Sequence, residues 1–169
     1  MKRRILLLLI FTFLAPVTAL RAQGPFPGHS GRLTIRAGHS VHGTDPEWGF
    51  PGSALSVGGD YTTGAVLLGG SIDMKNRKER LSTATVRCGF GASGRQFSVS
   101  AYMTARYRWN DAYSGWLAGA GGTIDYRLAG PLGVFASLEY AHPLVREARY
   151  AYFLYNGQTI FTYGISLRF

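Results

Sequence analysis

From Gln96 to Trp109 every second residue is apolar. Phe97, Val99, Ala101, Met103, Ala105, Tyr107 and Trp109 alternate with Gln96, Ser98, Ser100, Tyr102, Thr104, Arg106 and Arg108. A period of two marks an extended strand whose faces meet different surroundings. Fourteen residues is more than twice the usual length of a soluble strand, about five or six. The length of this alternation constrains the fold more than any other feature of the chain.

The pattern recurs. Trp116, Ala118, Ala120, Gly122, Ile124, Tyr126 and Leu128 oppose a face of Gly115, Leu117, Gly119, Gly121, Thr123, Asp125 and Arg127. Leu132 to Tyr140 and Phe161 to Phe169 alternate in the same way, as do shorter stretches around Leu33–Ala37, Leu55–Tyr61, Val66–Met74 and Val86–Phe90. That makes eight strands. Three of their connections are short and carry glycine, at Gly64, Gly94 and Gly130, as tight turns require. The others, His39 to Gly52, Lys75 to Arg80, Asn110-Asp111 and Ala141 to Gln158, are mostly longer and more polar. Short turns at one end and loops at the other describe an all-β, antiparallel transmembrane barrel, with an even strand number placing both termini on the periplasmic side. Ala148 to Tyr155 also alternates and precedes Asn156-Gly157, a hairpin turn pair. It is read as a hairpin extending the last outer loop, with nine or ten strands as the competing count.

A soluble sandwich alternates too, so the bilayer needs its own argument. Strands of this length match a tilted span of about nine to eleven residues. Tyr61, Tyr107, Trp109, Trp116, Tyr126, Tyr140 and Phe169 fall towards strand ends on the apolar face, where aromatic girdles belong. Glycine, 23 in all, is frequent on the polar face, at Gly115, Gly119, Gly121 and Gly164, as a narrow interior would demand.

That interior is just wide enough for side chains to fill. By parity it holds Arg36, Asp60, Asp73, Arg87, Arg106, Asp125, Arg127, Glu139 and Arg168, with Arg32 and Arg108 on the same face. Opposite charges confined there are expected to pair, because an unpaired buried charge costs several kcal/mol. The expectation is a plugged or narrow lumen, not a diffusion pore.

Residues 1–22 read as an address. Lys2, Arg3 and Arg4 precede an apolar run from Ile5 to Leu14, then Pro16 and small residues, the layout of a signal peptide cleaved after Ala19 or Ala22. The barrel is then 23–169. The chain carries 18 Lys and Arg against 9 Asp and Glu. Four of the basic residues, Lys2, Arg3, Arg4 and Arg21, lie in the address, so the charge excess is no argument for direct nucleic-acid binding. Cys88 is the single cysteine, which excludes a disulfide scaffold.

Several clusters invite chemistry. His39 and His42, near His29, Asp45 and Glu47, could hold a metal but lack fixed ligand geometry; as solvated loop residues they need none. Ser137, Glu139 and His142 contain the residue types of a lipid deacylase, yet Ser137 and Glu139 fall on the inner face, where a lipid substrate cannot reach. No cofactor or metal is therefore expected, and the chain reads as no enzyme. Lys75, Arg77, Lys78 and Arg80, joined by Arg146 and Arg149, are candidate outer-loop contacts for anionic lipopolysaccharide or nucleic-acid phosphates. Tyr150 and Tyr152 head a candidate protein-binding surface.

The terminal alternation of Phe161, Tyr163, Ile165, Leu167 and Phe169 resembles the closing strand of small outer-membrane proteins. That likeness implies recognition by the barrel-assembly machinery and residence in the bacterial outer membrane. Pro27-Gly28, Gly31, Leu33, Ile35, Ala37-Gly38 and Gly43, with Gly121-Gly122 and the Gly164 to Phe169 ending, are similar to the TraO conjugal transfer proteins of Bacteroidetes conjugative transposons. This likeness implies a non-catalytic component of a conjugative DNA transfer apparatus, with other conjugation proteins and outer-membrane lipids as partners. The alternative is a stand-alone adhesion or permeability barrel.

Overall fold

The computed structural model describes residues 31–43, 52–74, 82–109, 114–144 and 158–169. Eight strands occupy them: β1 (Gly31–Gly43), β2 (Gly52–Thr63), β3 (Val66–Met74), β4 (Ser82–Ser93), β5 (Phe97–Trp109), β6 (Ser114–Ala129), β7 (Leu132–Pro143) and β8 (Gln158–Arg168). Each pairs antiparallel with its neighbours in sequence, and β8 pairs with β1 to close the barrel. Residues 1–22, the Ala148–Tyr155 stretch and every candidate outer-loop contact lie outside the described residues.

Two of the expected loops are shorter than the sequence implied. His39 to Gly43 continues β1, and Ala141 to Pro143 continues β7. Both stretches interrupt apolar alternation with small or polar residues, but in a polar lumen Ser40 and Gly38 are ordinary inward positions. Pro143 lies past the β7–β8 pairing, which ends at Ala141 and Gln158, so its missing N–H interrupts no ladder on that side.

Register fixes the barrel's dimensions. From Gly31 the pairing runs to Thr63, Val66, Phe90, Ala101, Gly122, Leu138 and Phe161, and returns to β1 at Val41. A stagger of about ten residues over eight strands gives a tilt of about 40° and a backbone radius of about 8 Å. Each residue then rises about 2.5 Å along the barrel axis.

The outer wall is apolar. Leu55, Val57, Leu68, Val86, Phe90, Val99, Ile124, Leu138, Ile165 and others are exposed, and Met103 is 72% exposed. So continuous an exposed apolar surface is not one that water tolerates. Rings mark its two edges. Tyr107 packs on Trp109 at 5.8 Å and on Trp116 at 5.0 Å at the loop end, and Phe97 meets Tyr126 at 4.7 Å at the turn end. By the register these groups stand about 25 Å apart, the height of a lipid-facing band.

At the turn end, Gly64 and Gly130 adopt positive φ of 57° and 53°, the conformation that lets two-residue hairpins turn with the twist of their strands.

Candidate functional site

The interior is the most organised region of the described structure. Inward parity buries Arg36, Asp60, Asp73, Arg87, Arg106, Arg108, Asp125 and Glu139. All but Arg108, which lies beyond Arg106 towards the loop end of β5, sort by height into two tiers.

The tier nearer the turns centres on two carboxylates, Asp60 and Asp125, which are 2% and 1% exposed. Arg36 reaches both, donating from Nη1 to Asp60 and from Nε to Asp125 Oδ2 at 3.3 Å. Arg87 Nε stands 2.9 Å from Asp60 Oδ1, and Arg168 Nη2 donates to Asp125 Oδ1 at 2.5 Å and to its carbonyl at 2.8 Å. Ser166 Oγ adds a donor to Asp125 at 2.9 Å. The chain Arg87, Asp60, Arg36, Asp125, Arg168 thus alternates in sign across the barrel.

The tier nearer the loops centres on Glu139. Arg106 donates to it from Nε and, at 2.7 Å, from Nη2, while Thr104 Oγ1 donates at 2.7 Å. Arg106 Nη1 also lies 3.5 Å from Asp73 Oδ2. Above this tier Leu117, Ala141 and Ile160 form a small fully buried apolar cluster.

Glycine explains how these pairs form. Arg87 on β4 meets Asp60 on β2 across β3, where Gly69 is the register partner of both. A Cβ on Gly69 would land on Asp60 Oδ1. Arg106 on β5 meets Glu139 on β7 across β6, where Gly119 and Gly121 stand, and a Cβ on Gly121 would lie 2.9 Å from Glu139 Cβ. Arg168 on β8 meets Asp125 on β6 across Gly133 of β7, whose added Cβ would be 2.7 Å from Ser166 Oγ. These three strand-skipping pairs each pass over a glycine on the strand skipped, whereas the longer Arg106–Asp73 contact crosses β4 over Thr83 and Thr85.

Two inward aromatic residues not singled out from the sequence complete the packing. The Arg36 guanidinium lies over the Phe135 ring and that of Arg87 over Tyr102, each at 5.5 Å, a favourable arrangement for a cation on a π face. Inward parity was the signal that could have found them. A void of about 20 Å³ between the tiers, bordered by Ser56, Ser71, Tyr102 and Ser137 among others, has room for about one water molecule.

Arg127 does not join the network. The β6–β7 register shifts between Arg127 and Ala129, and such a bulge re-aims a side chain. Arg127 is exposed, its Nε donating to the Gly130 carbonyl. Of the histidine cluster, His29, Asp45 and Glu47 lie outside the described residues, and His39 lies exposed on the outer wall of β1, 5.8 Å from the Tyr163 ring. Among the described residues no group of three or more His, Cys, Asp or Glu could hold a metal ion. Ser137 Oγ faces Thr162 O at 3.4 Å, Glu139 is taken by Arg106, and His142 is exposed on the opposite face. These three residues do not form a triad. Cys88 is exposed on the outer wall, and Phe161, Tyr163, Ile165, Leu167 and Phe169 line the exposed face of the last strand and its end.

No family model matches the sequence, and no curated protein does. The TraO likeness is therefore unsupported, and the barrel itself accounts for some of the glycines behind it. Gly38 and Gly164 face one another across the β1–β8 seam, where a Cβ on either would fall inside the contact distance of the other strand's backbone. Solved structures do match. The N-terminal β-barrel domain of Pseudomonas aeruginosa OprF superposes with TM-score 0.57 and 15% identity, over 83% of this chain and 100% of that one. Neisserial surface protein A gives 0.55 and 11%, over 84% and 99%. Ail, the attachment invasion locus protein of Yersinia pestis, solved with the heparin analogue sucrose octasulfate, gives 0.50 and 13%, over 85% and 100%. At such identities the likeness is one of fold: the chain is a closed, eight-stranded antiparallel barrel of the outer-membrane type.

Proposed function

We propose that this chain is a non-enzymatic protein of the bacterial outer membrane, exported through residues 1–22 and closed to solutes, which works through its outer loops as an adhesion-type surface barrel. The filled lumen carries this reading. An apolar wall about 25 Å high makes lipid the natural surroundings, while two tiers of ion pairs occupy the space a channel would need. Activity is thereby left to the surface. Assembly would use the Phe161, Tyr163, Ile165, Leu167 and Phe169 face, recognised by the barrel-assembly machinery.

The loops supply the chemistry of contact. Lys75, Arg77, Lys78 and Arg80 lie within one short connection, and Arg146 and Arg149 in another. Guanidinium and ammonium groups at this density suit sulfate and phosphate groups on sugars, lipopolysaccharide included. The fold shared with Ail, which was solved with a heparin analogue, agrees with that partner class. A conjugative role would need other support, such as a gene within a transfer operon.

The test has three readouts. An outer-membrane fraction is expected to show heat-modifiable gel mobility, and planar bilayers holding the purified protein no steady conductance of nanosiemens scale. Binding to immobilised heparin is expected to fall when Lys75, Arg77, Lys78 and Arg80 are changed to Gln. A soluble periplasmic species, an open channel or unchanged heparin binding would each defeat the claim it addresses.

A further inference from the structure

The turn end of the barrel carries an uneven distribution of charge. Its acids, Asp60 and Asp125, are buried and engaged by Arg36, Arg87 and Arg168. Arg95 in the β4–β5 turn and Arg127 at the end of β6 are exposed, and Arg32 near the start of β1 is half-buried. Among the described residues this rim therefore shows three guanidinium groups and no exposed carboxylate side chain. Carboxylates drawn into the lumen leave the rim cationic.

Depth identifies the partner. Arg127 directly follows Tyr126, whose ring packs on Phe97 at 4.7 Å in the turn-end girdle. Backbone contact ties the same corner together, with Arg127 N donating to Gln96 O at 2.7 Å, beside Arg95. Aromatic girdles sit at headgroup level, so these guanidinium groups stand at the depth of lipid phosphates, which they can bind bidentately. Arg32, inward by parity at the second residue of β1, stands half-buried at the turn-side mouth of the lumen beside the β1–β8 seam, where its long side chain can extend its charged end over the rim. Cations spread around a rim at one depth suit separate lipid headgroups better than one extended polymer.

We infer that Arg32, Arg95 and Arg127 form a cationic collar that binds the phosphates of anionic phospholipids in the turn-side leaflet, the periplasmic leaflet of the outer membrane. This rests on the membrane reading given above. Each Arg near such a surface raises association about five-fold, and the effect weakens as salt screens it.

The experiment reconstitutes the full-length chain in bilayers of phosphatidylcholine mixed with phosphatidylglycerol, and counts the lipids retained by native mass spectrometry. The wild type is expected to retain phosphatidylglycerol above its bulk fraction, and the R32Q/R95Q/R127Q variant to lose that enrichment by about tenfold or more. A folded triple variant with unchanged enrichment overturns the collar and leaves the membrane barrel intact. Loss confined to a K75Q/R77Q/K78Q/R80Q variant assigns the lipids to the loops and also overturns it. So does a wild type that ignores phosphatidylglycerol and instead sediments with purified cell-wall polymer. A chain without heat-modifiable mobility in any bilayer defeats the membrane reading and the collar together.

Discussion

Arg106 holds both carboxylate oxygens of Glu139, with Nη2 2.7 Å from Oε2 and Nε on Oε1, across a strand to which neither residue belongs. The pair is buried, so each partner is compensated mainly by the other. Glu139→Gln leaves the Arg106 cation to its longer contact with Asp73, at 3.5 Å. Breaking such a pair costs about 3–5 kcal/mol, while replacing both members by apolar groups costs much less. Urea unfolding from lipid vesicles is expected to show that loss for Glu139→Gln and a smaller one for R106M/E139L. Additive single effects would mean that the two residues act independently.

The glycine beneath an ion pair should matter as much as the pair. At Gly69 an added Cβ meets Asp60 Oδ1 and lies 2.7 Å from the Gly59 carbonyl. Gly69→Ala must displace a buried carboxylate or push neighbouring strands apart, and a loss of about 1–3 kcal/mol follows from such overpacking. Gly91 is the control on the same inner face: its added Cβ would meet Val99 O at an ordinary 3.4 Å. Gly91→Ala is expected to be neutral or to gain about 0.4–1 kcal/mol by restricting the unfolded chain. Equal effects in the same unfolding measurement would remove the special place of Gly69.

Alternation made the eight strands and their inner faces legible, because lipid and lumen impose opposite preferences on successive residues. It left strand ends less clear. His39 and Ser40 in β1 look like loop residues until the neighbours are known: Tyr163 beside His39 and Thr162 Oγ1 donating to Ser40 Oγ at 3.0 Å. Charge type was readable but pairing was not. Asp125 lies 89 positions from Arg36, and their meeting depends on the stagger around the closed barrel, which no local pattern encodes. Arg127 had the right parity, and a bulge removed it from the lumen. The basic loop residues could be read as chemistry alone.

Cys88 offers a direct probe of the wall. It is exposed in the protein and pairs in register with Met103, which places it near the middle of the apolar band. In vesicles a charged maleimide cannot reach that depth. Folded protein in bilayers is expected to stay unlabelled and urea-unfolded protein to label fully, as read by mass shift. Rapid labelling of the folded, bilayer-embedded protein would place Cys88 in water.

Depth along one strand tests the wall most stringently. Phe97, Met103 and Trp109 share the outer face of β5 and step through the band, the first beside Tyr126 and the last beside Tyr107. An Arg at the bilayer midplane costs about 2–4 kcal/mol, and one near either interface about 0–1, because the side chain can reach headgroups and water. Met103→Arg should therefore destabilise the folded barrel most in vesicle unfolding experiments. Phe97→Arg and Trp109→Arg should each cost less, although each also loses a ring contact. If the wall faced water, the order would reverse: the 72% exposed Met103 would tolerate Arg within about 0.5 kcal/mol, and only the two ring positions would lose stability.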